Sequence, residues 1–136
     1  MDLYKAMSVS AAGMKAQGTR LKVIAENLAN SNTTAETPGD MPYRRKVVTF
    51  QNMLDRQVGV ETVRVAKVDV DKSDFQRRYD PTHPSADTDG YVLLPNVNSL
   101  IEAMDMREAQ RSYEANLSVI EATRTMLNRT VELLRT

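Results

Sequence analysis

His83 is the only histidine in this 136-residue sequence, and it stands between Thr82 and Pro84 with Asp80, Asp87 and Asp89 close by. A histidine among carboxylates is the raw material of a metal site or an acid–base pair. With no cysteine and no second histidine the ligand set is thin, and a turn in an ordered loop accounts for the same residues. Asp87-Thr88-Asp89-Gly90 resembles the opening of a calcium loop. That pattern needs an acidic or amide side chain two before Asp87 and a Glu six after Gly90, where this chain has Ser85 and Asn96. A turn leading into a strand explains it equally well. Asp69, Asp71 and Asp74 follow a valine-rich stretch without a nucleophile or oxyanion donor, so a solvated strand end outweighs acid–base work. Arg44-Arg45-Lys46 is the one basic cluster. Three charges are little for phosphate binding, and a polar rim against a neighbouring subunit is the preferred reading.

The bulk properties agree with a chain short of catalytic machinery. Lys and Arg total 18 and balance the 18 Asp and Glu, which leaves no field to draw nucleic acid or an acidic membrane. Without cysteine, disulfides and thiolate chemistry are excluded. Aromatics make up 5% with no Trp, so burial is expected to rest on Leu, Val, Met and Ala. No apolar run approaches the roughly 18 residues of a membrane span, which predicts no membrane insertion. Met1-Asp2-Leu3-Tyr4-Lys5 lacks the basic and apolar regions of a secretory signal. No cleaved signal peptide is expected.

The elements that position these residues are two helices and a β-like middle. Over residues 1–30, Tyr4, Met7, Ala11, Met14, Gly18, Leu21, Ala25 and Leu28 recur at spacings of three and four. They form a bulky row (Met7, Met14, Leu21, Leu28) and a small row (Ala11, Gly18, Ala25) that lets another helix come close. Gly13 and Gly18 each cost about 1 kcal/mol of helix propensity against Ala, so this helix needs a packing partner. Without one it is expected to be largely disordered. Asn30 to Thr34, Pro38-Gly39 and Pro42 mark its end.

Val47 to Phe50 and the valines from Val58 to Val70 read as strands, and two phase changes in their alternation predict a bulge or twisted hairpin. A polar loop is expected over 76–90, then a strand at Tyr91–Leu94 stopped by Pro95. Residues 99–136 open with Ser99 as N-cap and Glu102 at N3, a capping box. Ala103, Met106, Tyr113, Leu117, Ile120, Leu127, Val131 and Leu134 continue at helical spacing. At ~1.5 Å per residue the helices are about 40 and 55 Å long, too long for so small a middle to cover. The expected fold is α+β, with residues 1–30 and 99–136 paired as a coiled coil and 31–98 forming a small β-rich and extended module. Val23, Ile24, Val119, Met126 and Leu133 are then left to face further partners.

The residues also carry a family resemblance. Leu21-Lys22-Val23-Ile24-Ala25-Glu26-Asn27-Leu28-Ala29-Asn30 followed by Ser31-Asn32-Thr33-Thr34 resembles the N-terminal signature of flagellar rod and hook proteins. Pro42-Tyr43-Arg44-Arg45-Lys46, Asp80-Pro81-Thr82-His83-Pro84, Gly90-Tyr91-Val92, Pro95-Asn96-Val97-Asn98 and Arg111-Ser112-Tyr113-Glu114-Ala115-Asn116-Leu117 extend it over nearly the whole chain. The combination is similar to the FlgC type of proximal rod protein. Ser31 stands where Ala is common.

The resemblance implies a structural subunit, not an enzyme, with no cofactor, metal, small-molecule substrate or nucleic acid. It implies copies of itself and other rod proteins as neighbours in a tube with a central export channel. It also implies passage through the flagellar type III export apparatus to the periplasmic rod. The motif residues are Asn27, Leu28, Ala29, Asn30 and Thr33. The expected assembly interface is Met7, Ala11, Met14, Gly18, Leu21, Ala25 and Leu28 with Tyr113, Leu117, Ile120, Leu127, Val131 and Leu134. Two other classes compete: a secreted coiled-coil adaptor that forms one small complex, and a metal-dependent enzyme built on His83.

Overall fold

A computed structural model describes residues 2–135. Helix α1 runs Leu3–Ala29. The Asp2 carboxylate caps it by accepting from the backbone N–H of Tyr4 and Lys5, at 3.0 and 3.4 Å. At the far end Asn30 Nδ2 donates to the Glu26 carbonyl and Ser31 Oγ to that of Leu28, both at 2.8 Å. These side chains add to the backbone N–H bonds that Asn30 and Ser31 already make to the same two carbonyls.

Strands β1 (Lys46–Asp55) and β2 (Val60–Val70) form a two-stranded sheet. The connection is tight. Asp55 Oδ1 accepts from Gln57 and Val58, and Gly59, at φ 72°, donates to the Asp55 carbonyl. That left-handed conformation suits glycine. Strands β3 (Gln76–Tyr79) and β4 (Tyr91–Leu94) form a second, antiparallel sheet with Gln76 opposite Leu94 and Tyr79 opposite Tyr91. The facing Tyr79 and Tyr91 rings meet edge to face, 5.3 Å between centroids. The loop expected over 76–90 therefore starts with a strand. Gln-Arg-Arg-Tyr is exposed throughout and has no apolar alternation to announce it.

Helix α2 runs Ser99–Leu134. Its N-cap is Asn98, not Ser99. Asn98 Oδ1 accepts from Leu100 and Ile101 N–H at 3.1 and 3.4 Å. Glu102 is therefore not the second half of a capping box; its carboxylate is drawn into the interior. The architecture is α+β, two long helices flanking a small middle of two sheets.

The chain gathers into two compact units. One holds the described residues up to Leu21, Val48–Lys67 and those from Arg107 onward; the other holds Lys22–Val47 and Val68–Met106. In the first, the buried side chains are small: Ser10, Ala16, Thr62, Ala109 and Thr123. In the second they include Val23, Ile24, Val92, Val97 and Pro95, with Asn27 and Glu102. Val23 and Ile24, expected to face partners, are core residues. Leu and Met, expected to share the burial, supply no fully buried side chain among the described residues. No described helix is long and apolar enough to cross a membrane.

Candidate functional site

In the first unit α1 meets α2 running the opposite way, and in the second the two helices share a hydrogen bond. In the first, Gly13 faces Asn116, and an added Cβ would lie 2.8 Å from Asn116 Nδ2, so any side chain there would push the Asn116 amide aside. Arg20 reaches Glu108 at 3.6 Å. In the second, Asn27 reaches Glu102.

The inward face of α1 holds Ser10, Gly13, Ala16, Val23, Ile24 and Asn27. About half a turn round the helix, at 100° per residue, lie Ala11, Gly18 and Ala25. Ala11 and Ala25 are exposed, and a Cβ built on Gly18 meets nothing within 4 Å. Met7, Met14, Leu21 and Leu28 are half-buried. On α2, Tyr113 and Ile120 are half-buried, whereas Leu117, Leu127, Val131 and Leu134 are exposed. From Arg124 onward every described residue of α2 is exposed, Met126, Leu127, Val131, Leu133 and Leu134 among them.

The motif residues meet in the second unit. Asn27, 1% exposed, uses its whole hydrogen-bonding capacity. Its Nδ2 donates to the Lys46 carbonyl at 2.9 Å and to Glu102 Oε2 at 3.3 Å. Its Oδ1 accepts from Lys46 N–H at 2.9 Å and from the Tyr43 hydroxyl at 2.8 Å. Burial raises the Tyr43 pKa above its ordinary value, which keeps the phenol protonated as a donor.

Glu102 Oε1 accepts from Arg45 Nε, and Asp71 and Asp105 flank the guanidinium at 3.7 and 3.8 Å. Burial opposes the charge on Arg45, yet hydrogen bonding to Glu102 and the nearby carboxylates raise its pKa overall. Lys46 pairs with Glu26 at 2.9 Å and lowers that carboxylate's pKa through their hydrogen bond and opposite charges. Arg44 lies over the Phe75 ring, 4.3 Å to the centroid, and donates to the Asp71 and Ser73 carbonyls.

The basic cluster is thus spent inside the subunit, not on a neighbour's rim. Asp71 is likewise no mere solvated strand end: hydrogen bonds from Ser73 lower its pKa while it serves Arg45. Glu102 was the residue that spacing missed. Its signal is an acidic side chain near a helix start, which a capping box would give equally well.

The other motif segments have local duties. Asn96 Oδ1 accepts from Arg45 N–H at 2.8 Å while its Nδ2 donates to Asp71 and Ser73. Gly90, at φ 83°, turns the chain into β4 against Pro81, and Val92 behind it is fully buried. Thr33 bonds Asn30 at 3.3 Å. His83 bridges Thr34 at 3.2 Å and Ser85 at 2.8 Å, a turn residue in an ordered loop. Asp87 Oδ1 accepts from Asp89 and Tyr91 N–H, which closes the turn before β4 and lowers its pKa, with the Tyr91 N–H contributing most. Among the described residues no group of three or more His, Asp and Glu side chains is gathered to hold a metal ion.

Two helices that leave small and apolar residues exposed, with a polar cluster bonding α1 to the start of α2, have the character of a packing protein. Residues 7–35 match the family described as flagella basal body rod protein, and residues 88–133 match the flagellar basal body rod FlgEFG protein C-terminal family. Among curated relatives, the flagellar basal-body rod protein FlgC of Agrobacterium fabrum is 52% identical over 98% of this chain and 96% of its own length. The FlgC proteins of Bacillus subtilis and Salmonella typhimurium are 38% and 36% identical, each over 98% of this chain and 99% and 98% of their own lengths. The chain belongs to the FlgC family of flagellar basal-body rod proteins.

Proposed function

We propose that this protein is a structural, non-catalytic subunit of the proximal rod of the bacterial flagellar basal body. Copies of it assemble with other rod proteins into a tubular drive shaft around a central export channel. In this reading residues 1–30 and 99–136 pair as a coiled coil on the inside of the tube, and 31–98 form the module outside it. The chain reaches the periplasmic rod through the flagellar type III export apparatus without a cleaved signal peptide.

The observation that carries the reading is the outward row Ala11, Gly18 and Ala25 on a helix whose opposite face is already packed. A folded subunit leaves that row open, together with the apolar end of α2, and neighbours would cover both. Electron microscopy of cells lacking the gene tests the role. Loss of rod, hook and filament with membrane rings retained, and recovery on complementation, is the expected result. Intact flagella on the deletion strain would move the secreted adaptor to the front.

A further inference from the structure

We propose that Asp89–Gly90 is an isoaspartate-forming site that the fold keeps closed. It isomerises in the unfolded chain and is held inert once Asp87 has gathered the turn around it.

Gly90 is the only glycine in the sequence preceded by Asp or Asn. With no Cβ to hinder it, a glycine amide nitrogen is the least obstructed nucleophile for the carboxyl carbon of the residue before it. In that reaction the Gly90 nitrogen loses its proton and bonds to Cγ of Asp89. The carboxyl hydroxyl leaves with that proton as water, and a succinimide ring closes. Water then adds back at one of the two ring carbonyls. Opening at Cγ returns aspartate. Opening at the α-carbonyl leaves the main chain running through Cβ and Cγ. The water released is the water consumed, so no further reactant is needed.

The Asp89 side chain is exposed, and its carboxylate has no hydrogen-bond partner among the described residues. The nitrogen it would meet is not free. Gly90 is buried at φ 83°, and its N–H donates to the Asp87 carbonyl at 3.0 Å. Asp87 Oδ1 holds the residues on either side, accepting from Asp89 N–H at 3.0 Å and Tyr91 N–H at 2.9 Å. The Gly90 carbonyl accepts from Asp80 N–H at 2.9 Å. Ring closure must take the proton that Asp87 holds, so the reaction waits for the turn to open locally. The product has no place in the turn either. A Cβ on Gly90 would lie 3.0 Å from Tyr79 Cε2 and 3.1 Å from Pro81 Cβ, and an extra main-chain methylene beside it disturbs the pairing of Tyr79 with Tyr91. An isoaspartate formed before folding would therefore keep β3 and β4 apart.

The test measures isoaspartate at residue 89 in the purified full-length chain, incubated for weeks near neutral pH. Enzymatic methylation of isoaspartate and mass spectrometry of the fragment carrying residue 89 read it. In guanidinium chloride the lesion should accumulate steadily, and in native buffer at least about tenfold more slowly. Asp87→Ala in native buffer should speed it several-fold. Asp87→Asn, which also loses the Arg77 ion pair but keeps an Oδ1 acceptor, should stay close to the slow rate. Equal rates in the two solvents would overturn the proposal, as would an unfolded chain that forms no isoaspartate. Equal rates for the Ala and Asn variants, both shown folded by circular dichroism, would overturn the part given to Asp87. The comparison of the unaltered chain in the two solvents decides the site itself even where a variant fails to fold.

Discussion

Replacing Glu102 by Ala removes a carboxylate that is 1% exposed and takes one partner from each of two groups, the Arg45 guanidinium and Asn27 Nδ2. Breaking a buried pair by deleting one partner costs about 3–5 kcal/mol. Arg45 keeps Asp71 and Asp105 within 4 Å and is itself 24% exposed, which points to the low end, about 3 kcal/mol. For a domain of this size that lowers the thermal midpoint by roughly 10 °C. Thermal and urea unfolding followed by circular dichroism reads it directly. The control is Glu108→Ala: that side chain is 69% exposed, 3.6 Å from Arg20, and its loss should cost under about 1 kcal/mol. Arg45→Met combined with Glu102→Ala should be less destabilised than the sum of the singles, because no charge is left buried alone. Equal losses for Glu102→Ala and Glu108→Ala, or strict additivity with Arg45→Met, would refute the account of a buried coupled pair.

The two helical glycines divide fold from assembly. Gly13→Leu should destabilise the isolated subunit by about 1–3 kcal/mol through collision with Asn116. Gly18→Leu should leave the subunit's melting point unchanged or higher and still block rod formation; normal swimming of that variant would remove the role of the small row. Glu26, Asp71 and Asp87 all have lowered pKa values, so their contribution is present above the unfolded value of about 4 and is lost as pH falls through the folded values. The thermal midpoint should hold from about pH 7 to 5 and drop below about 4; a rise there would contradict the sign. Hydrogen exchange should be slower in the unit built on Val23, Ile24, Val92 and Val97 than in the one whose buried side chains are only Ser, Ala and Thr. Equal protection, or protease-resistant termini in the free monomer, would contradict the expected lability of the chain ends.

Both helices were legible to within two residues: Asn30 to Thr34 stops α1, and the start of α2 falls at Ser99 as expected, although its cap is Asn98 and no capping box forms. The inward face of α1 was not legible. Ser10, Gly13, Ala16 and Asn27 are small or polar, so hydrophobic periodicity pointed instead to Met7, Met14, Leu21 and Leu28, which are only half-buried. The four-strand middle was half visible, through its valines but not through Gln76–Tyr79. The polar cluster was hidden for another reason. Arg45 and Glu102 lie 57 residues apart, and nothing in the spacing of either joins them. The resemblance named Asn27 without supplying its partners, which only the folded chain brings together.

The bond from Asn27 to Glu102 spans 75 residues, and this has a consequence for the order of events along the chain. Whenever the polypeptide emerges N-terminus first, Asn27 and Arg45 come out long before the residue that completes their bonding. Closing so long a loop carries an entropic cost that local helix formation does not, and it slows the step. The second unit should therefore stay open and hydrated until the first turn of α2 arrives, then close in a single late event. Chains cut anywhere before Glu102 would never close.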